Sequence, residues 1–576
     1  MTSKKIVRPQ IKAAINITIL ILVTLLVCLQ ALKYPFFSLD DYRYLAELKN
    51  PAGINWLKAS IVENRWDNLW WIADGSYVRF FRPLVIFSYW LDYQFYGLNP
   101  AGFVTSNIIY HLLCTVLVYL LLLKISGNTA GTFLAALAFG LSFSHFENIF
   151  YIAGRTDTLA ALFILLGLVV FIYAPKRHSL QNTILTGLIL FLALLGKEYA
   201  LILLPVFVVS ETMLFDKKLS ELLKDRAAIR FYTVNFAFVI LYFTLRYFAL
   251  GEAGSGSRPF PYFYMPWREG FLERTFAVFL QYITGLSLGT YIKPFLNDAS
   301  SFFSTVPLWQ IIISTIWFIF LLTFALKKRT GIFFAVFFVV FLFPLLPLYS
   351  TARYLYLPSV GYCGLLALVF NTLQHRQQAF RMPVLALVII LFLLIPAFKL
   401  YIVLEDQPRQ MSQPETRAER YASTFKTKLN QLINTAPVYI LDFPGSWYEI
   451  QFLPAVLKVL VPELKSNIFI LTRFSERSPD AITGIKVLSE NTIEIYRDTL
   501  PLYDPEPQED FDEQRLTPGE SIKRPGYTFT VLETKDDKVI KARVTFPVTL
   551  RELNLVRLKQ TENQKLTVDL IAPDRP

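Results

Sequence analysis

Asp40 and Asp41 stand side by side in Ser38-Leu-Asp-Asp-Tyr42, a few residues beyond the first long apolar run. Two adjacent carboxylates suit proton abstraction from a hydroxyl: one can act as general base while the other orients the acceptor or holds a cation. A solvated turn leading into a helix N-cap fits the same residues. A second group is Ser144-His-Phe-Glu147 followed by Gly154-Arg-Thr-Asp157, where His145 and Glu147 flank a turn. There Arg155 can meet a phosphate and Asp157 can cap the next helix. Lys197 and Glu198 form an adjacent ionic pair between two apolar runs, and Arg353 enters another run in Ser350-Thr-Ala-Arg-Tyr-Leu-Tyr-Leu-Pro358. Arg353 and Arg82 fit either phosphate contact or snorkelling to headgroups. Asn107 and His111, four apart, share one helix face, which a packing hydrogen bond also explains. Charge at the centre of a spanning helix costs roughly 2.5–3.5 kcal/mol, so ionisable residues that border apolar runs are the informative ones.

The runs that must position these residues dominate the composition. Of 576 residues 54% are hydrophobic and only 17% charged, and the mean hydropathy is +0.43. A soluble domain carries about a quarter charged residues. A spanning helix needs about 20 mostly apolar residues. Such runs recur at 13–32, 104–123, 129–144, 157–174, 183–196, 199–214, 231–250, 303–326, 331–348, 354–372 and 382–403. The pattern predicts an α-helical polytopic membrane protein of about 11 spans. Residues 183–214 also fit a kinked pair or a re-entrant segment broken at Gly196-Lys-Glu198.

The net charge of +12 is not a nucleic-acid signature, because the basic residues crowd into short breaks between runs. They are Lys4, Lys5, Arg8 and Lys12; Lys176 and Arg177; Lys217, Lys218, Lys224, Arg226 and Arg230; Lys327, Lys328 and Arg329; Arg376 and Arg381. Short Lys/Arg-rich loops face the cytoplasm. All these breaks share one parity, so a cytoplasmic N-terminus and an external C-terminal region are expected. Cys28, Cys114 and Cys363 all fall inside apolar runs, leaving neither a disulfide framework nor a zinc spacing. The first run has no Ala-x-Ala exit and reads as a retained signal anchor.

The expected organisation is a membrane domain over 1–404, a polar linker at 405–415 and an external α/β domain over 416–576. Two long external loops, 33–103 and 251–302, interrupt the membrane domain. The first carries Trp56, Trp66, Trp70, Trp71 and Trp90, expected as rings at headgroup depth. In the tail, the segment from Tyr527 to Phe546 with Lys535-Asp-Asp-Lys538 at its middle reads as a hairpin. By this topology Asp40, Asp41, Arg82, His145, Glu147, Arg155, Lys197 and Arg353 all fall at the outer membrane face.

The acid pair after the first span resembles the signature of the GT-C glycosyltransferases. The surrounding motifs are most similar to the branch holding the protein O-mannosyltransferases and the transmembrane and tetratricopeptide-repeat O-mannosyltransferases. Beside Asp40-Asp41, the matching stretches are Phe81-Arg-Pro-Leu84, and Gly97-Leu-Asn-Pro100 with Asn107 and His111. His145-Phe-Glu147 with Gly154-Arg-Thr-Asp157, Lys197-Glu198, and Arg353-Tyr-Leu-Tyr-Leu-Pro-Ser-Val-Gly361 complete them, over roughly residues 30–370. Val104 stands where the branch usually has His, and no tetratricopeptide repeats follow, so the acceptor stays open; a soluble tail is more like bacterial members.

The resemblance implies inverting transfer from a polyprenyl-phosphate-linked sugar to a glycan, lipid or protein hydroxyl outside an inner membrane. Asp40 or Asp41 would be the base. Arg82, Arg155, Lys197 and Arg353 would meet the donor phosphate, with His111, His145, Glu147, Asp157, Glu198 and Tyr356 completing the substrate site. No cofactor is called for beyond a divalent metal at the acids. The competing classes are a flippase of lipid-linked sugars, which would spread charge through the bilayer midplane, and a scaffold that merely anchors the tail.

Overall fold

The computed structural model describes residues 9–49, 54–65, 68–127, 130–251, 264, 266–293, 299–374, 386–411, 417–433, 435–445, 447–473, 482–498, 500–503, 515–560 and 566–571. The basic residues Lys4, Lys5, Arg8, Arg376 and Arg381, Trp66, and the Gly-Ser-rich stretch of the second loop lie outside them. The chain divides into two compact units: residues 1–36, 81–253 and 262–412 form one, and 37–80, 254–261 and 413–576 form the other.

The first unit is helical. Each apolar run of the sequence becomes a helix, but their lengths differ. Among the described residues six helices are long and apolar enough to cross a membrane: Gln10–Leu32, Pro100–Ser126, Ile152–Tyr173, Arg226–Leu250, Leu308–Ala325 and Ala386–Met411. Ala130–Gly140 and Phe143–Phe150 form a pair bent by 42°, which makes up to seven spans if it counts as one. Leu180–Gly196, Arg329–Leu345 and Pro358–Thr372 are shorter apolar helices, so length and composition among the described residues do not by themselves reach the expected count of 11. The run 199–214 splits into the 3-10 turn Glu198–Ile202 and the helix Leu203–Leu214.

Local chemistry sets the ends. Pro83 and Pro100 open their helices where no amide hydrogen is needed. The Asn99 side chain accepts from the Ala101 amide at 3.1 Å and caps the second of these. Gly361 closes the Arg353 motif for a packing reason. A Cβ there would lie 2.6 Å from the Phe334 carbonyl oxygen, so only glycine lets Pro358–Gln374 approach Arg329–Leu342 this closely.

Two segments differ from the sequence reading. The second loop holds an 18-residue helix, Phe271–Leu288, buried on one side in its first half and all round from Leu280 on, and a shorter one, Ala299–Thr305. Its Pro and Gly punctuation lies before Phe271, and that hid the amphipathic run behind it. The last helix runs on to Met411, into residues read as linker, with Pro408 inside it.

Among its described residues the second unit contains a two-stranded ribbon and two larger sheets. Strands β1 (Ile61–Arg65) and β2 (Tyr77–Phe81) pair as a ribbon. The others are β3 (Val438–Leu441), β4 (Ile468–Ile470), β5 (Gly484–Ser489), β6 (Thr492–Tyr496), β7 (Ser521–Arg524), β8 (Tyr527–Lys535), β9 (Lys538–Thr545), β10 (Asn554–Gln560) and β11 (Leu566–Leu570). A mixed sheet has the order β11-β10-β3-β4, and an antiparallel sheet has β5-β6-β9-β8-β7. The expected hairpin is β8–β9, turned at Asp536 and Asp537 with φ of 51° and 60°, the left-handed pair a tight hairpin turn demands.

Residues 37–80 belong to this unit, and Trp70 and Trp71 are packed inside it rather than set as membrane rings. Trp70 is buried, stacks on Phe529 at 3.9 Å between centroids, and donates its indole N–H to the Leu471 carbonyl at 2.8 Å. Trp71 stacks on Tyr503 at 4.5 Å. Arg524 donates to the carbonyls of Leu69 and Ile72 and pairs with Asp74. Aromatic density reads the same for a headgroup belt and for a protein interface; the deciding partners lie more than 400 residues away. Trp70→Ala should destabilise this unit by about 3–5 kcal/mol. In limited proteolysis of the purified protein, cleavage within 54–80 should rise; an unchanged digestion pattern would contradict the docking.

Candidate functional site

The described candidates of the helical unit gather at the ends of a few helices. Asp157 sits in the first turn of Arg155–Tyr173. Lys197 is the residue that ends Leu180–Gly196, in extended conformation. Arg353 lies in the 3-10 turn Ala352–Leu355, just before Pro358–Gln374. These positions converge on Asp157. Lys197 Nζ donates to its Oδ1 at 2.5 Å, and Arg353 Nε lies 3.8 Å from its Oδ2.

Tyrosines wall this cluster. The Lys197 ammonium lies 4.8 Å from the Tyr354 ring and 5.0 Å from the Tyr199 ring. The Arg353 guanidinium lies 5.5 Å from Tyr151 and donates to the Tyr349 hydroxyl. The Tyr199 hydroxyl donates to the Asp157 carbonyl at 3.2 Å. Burial pulls the Lys197 ammonium down to about 8; Asp157 opposes that shift, and the charges of Arg82 and Arg353 reinforce it. Asp157 is almost wholly covered, yet the side chains of Lys197 and Arg353 remain 13% and 20% exposed. One acid thus fixes both cations, and neither side chain is fully enclosed.

Glu147 serves the same turn from the helix Phe146–Phe150. Its carboxylate accepts from the Thr351 hydroxyl and from the Arg353 amide, the latter at 3.2 Å. Glu147 therefore holds the backbone that carries Arg353. Glu198 faces Arg246, with 3.9 Å between Oε1 and Nε.

Arg155 does not join the cluster. It is fully buried and donates to Asp92 at 2.7 Å, Asn107 at 3.1 Å and the Phe103 carbonyl at 2.9 Å. Its ring neighbour Tyr89 lies 4.5 Å away. Arg155 carries no partner in the sequence reading, although an acid inside the aromatic helix Pro83–Tyr96 requires one. His111, His145 and Tyr356 form a separate buried group. His111 Nε2 faces the Gly140 carbonyl at 3.0 Å, and since a carbonyl only accepts, Nδ1 of the neutral ring accepts a hydrogen bond from the Tyr356 hydroxyl at 2.8 Å. His145 Nε2 meets Ser359 at 2.9 Å.

Asp40 and Asp41 lie in the second unit, in the first turn of Leu39–Leu48. Asp41 is buried and closes a capping box, accepting from the Ser38 amide at 2.6 Å and the Ser38 hydroxyl at 2.7 Å. Asp40 is half-buried. Among the described residues no three His, Cys, Asp or Glu side chains gather as a metal-binding group.

The site is thus an acid–cation cluster on a multi-pass membrane unit. No family model matches the chain. Its curated relatives are O-mannosyltransferases, the enzymes to which the motifs pointed. The chain is 27% identical over 190 residues to protein O-mannosyl-transferase tmtc2 of Xenopus laevis, covering 31% of this chain and 23% of that one. It is 31% identical over 155 residues to TMTC2 of Mus musculus, covering 26% and 18%. The match thus spans about a quarter or less of these relatives' length. Among solved structures, the Archaeoglobus fulgidus oligosaccharyltransferase gives a TM-score of 0.45 at 12% identity, covering 79% of this chain and 63% of that one. ArnT from Cupriavidus metallidurans bound to undecaprenyl phosphate gives 0.42 at 13% identity, covering 85% and 99%.

Removing one partner of a buried ion pair leaves the other charge stranded, at about 3–5 kcal/mol. Asp92→Asn and Arg155→Met should each lower the thermal midpoint of the detergent-purified protein, and the double variant should recover part of the loss. Two single variants as stable as wild type would contradict the pairing.

Proposed function

We propose that the protein is a glycosyltransferase that moves a sugar from a polyprenyl-phosphate carrier to an acceptor hydroxyl at the outer face of the cytoplasmic membrane. The observation that carries this reading is the pair of partly exposed cations, Lys197 and Arg353, fixed by Asp157 at the helix ends. A sugar leaving a lipid phosphate leaves charge on that phosphate, and preorganised cations stabilise it without reorganising. Arg82, whose charge is felt at Lys197, adds to the same field.

Asp40 is the base in this reading. Asp41 is buried in its capping box with Ser38, whereas Asp40 is partly exposed beside it. The acceptor O–H proton passes to the Asp40 carboxylate as the acceptor oxygen bonds the anomeric carbon. The carbon–oxygen bond to phosphate breaks with its electron pair staying on the lipid phosphate, and the single displacement inverts the anomeric centre. The basic residues Arg177, Arg226, Lys328 and Arg329 belong to helix ends away from Asp157 and Lys197 in the chain path, which supports a cytoplasmic N-terminus and an external tail over 416–576.

The test is transfer from synthetic polyprenyl-phosphate sugars by the purified protein in detergent. Asp40→Asn should lower the rate by about 10²–10⁴-fold with insertion unchanged. Arg353→Lys should weaken donor use, because a lysine cannot make the bidentate phosphate contact. Transfer by Asp40→Asn at the wild-type rate would exclude the base role and favour lipid-linked sugar translocation without chemistry.

A further inference from the structure

The segment that carries Arg353 follows Arg329–Leu342 through a 3-10 turn, Phe343–Leu345, and leaves helical structure over 346–351, where its backbone polar groups must find partners. The helix Phe271–Leu288 provides them. Arg274, buried in its first turns, donates Nη1 to the Leu346 carbonyl at 2.7 Å and Nη2 to the Leu348 carbonyl at 2.5 Å. One planar guanidinium thus holds two carbonyls two residues apart. Two turns further along, the Tyr282 hydroxyl accepts from the Thr351 amide at 3.4 Å. Ser350 donates to the Lys293 carbonyl at 2.6 Å, and Gln281 donates to the same oxygen at 2.9 Å. The far end of the helix is fixed as well: Lys399, from the last apolar helix, donates to the carbonyls of Leu288 and Gly289 at 2.8 and 3.2 Å.

We infer that Arg274 is a positioning residue for Arg353, acting through the backbone from Leu346 to Thr351. This rests on the reading of Arg353 as a donor-phosphate ligand. The turn before Arg353 is gripped from both sides, by Glu147 at Thr351 and Arg353 and by Arg274 and Tyr282 at Leu346, Leu348 and Thr351. Arg274 does not itself touch Lys197 or Asp157 in any described contact. It fixes where the Arg353 guanidinium emerges, and a shift of about 1 Å in such a group costs as much as 10²-fold. Lysine cannot replace it, since a single ammonium lacks the planar fork that spans two carbonyls.

The experiment measures binding of a sugar-free polyprenyl phosphate and transfer kinetics for wild type, Arg274→Lys, Arg274→Gln, Arg353→Ala and the double variants, all in detergent. Arg274→Gln should weaken polyprenyl-phosphate binding and raise the donor KM by roughly 10–10²-fold, with a smaller change in kcat. Arg274→Lys should recover only part of this. In the Arg353→Ala background the Arg274 substitutions should have little further effect on binding, the non-additivity expected of residues acting through one group. Additive losses, or a wild-type donor KM in Arg274→Gln, would overturn the assignment. A wild-type protein that binds no polyprenyl phosphate would overturn the donor reading itself, and the positioning role with it. Should Arg274→Gln fail to fold, Tyr282→Phe removes one contact of the same grip and should give a smaller loss of the same kind; no loss there would count against the inference.

Discussion

A carboxylate at the edge of a hydrocarbon layer persists only if cations hold it, and Asp157 is held by two. Lys197 arrives from the end of one helix and Arg353 from the break before another, so a single acid ties three separated stretches of chain together. Everything near the cluster answers to that demand. Tyr199 bonds the Asp157 backbone, Glu147 braces the Arg353 turn, and Tyr354 lies beside the Lys197 ammonium. The same logic governs the interior pair Arg155–Asp92, with one difference in outcome. There the charges are almost fully enclosed and spent on each other; at Asp157 the cations stay partly exposed. Burial therefore separates a structural ion pair from one able to receive a ligand.

Much of this was legible in the sequence, and the failures have physical causes. Apolar runs marked the helices because burial in lipid leaves no alternative to a continuous hydrophobic stretch. They did not give the spans, since composition says little about where a helix breaks; the runs near 183–214 and 331–348 end in turns that shorten them. Lys197, Asp157 and Arg353 were recognisable as charges beside apolar runs. Arg155 was recognisable too, but its role was not, because Asp92 lay in a segment read as an external loop. Trp70 and Trp71 show the same limit. A tryptophan reports a half-wet environment, and whether a lipid headgroup or β8 supplies it depends on chain remote in sequence.

Arg274 and the helix Phe271–Leu288 were missed altogether. The helix follows a Gly- and Pro-rich stretch, and its apolar face is interrupted by Arg274, Gln281 and Thr284, all buried. Those residues look like a surface when read alone. In the structure Arg274 and Gln281 bond the backbone of neighbouring segments, and Thr284 bonds its own helix. Polar residues at helical spacing within an otherwise apolar stretch are thus a usable signal for a helix that supports a site.

The central claim is that Lys197 and Arg353 form a preorganised phosphate site. Lys197 offers a direct probe because its ammonium titrates near 8, below its ordinary value, and the proton is present below that pH and lost above it. A phosphate monoester passes the midpoint of its second ionisation near pH 6, so around pH 7 both partners carry most of their charge. The decisive measurement is the affinity of the detergent-purified protein for polyprenyl phosphate between pH 6.5 and 10. The account predicts affinity that falls as the pH passes 8, an inflection absent from Lys197→Arg, and weak binding at every pH for Lys197→Ala. Affinity that is flat with pH in wild type and unchanged in Lys197→Ala would contradict it.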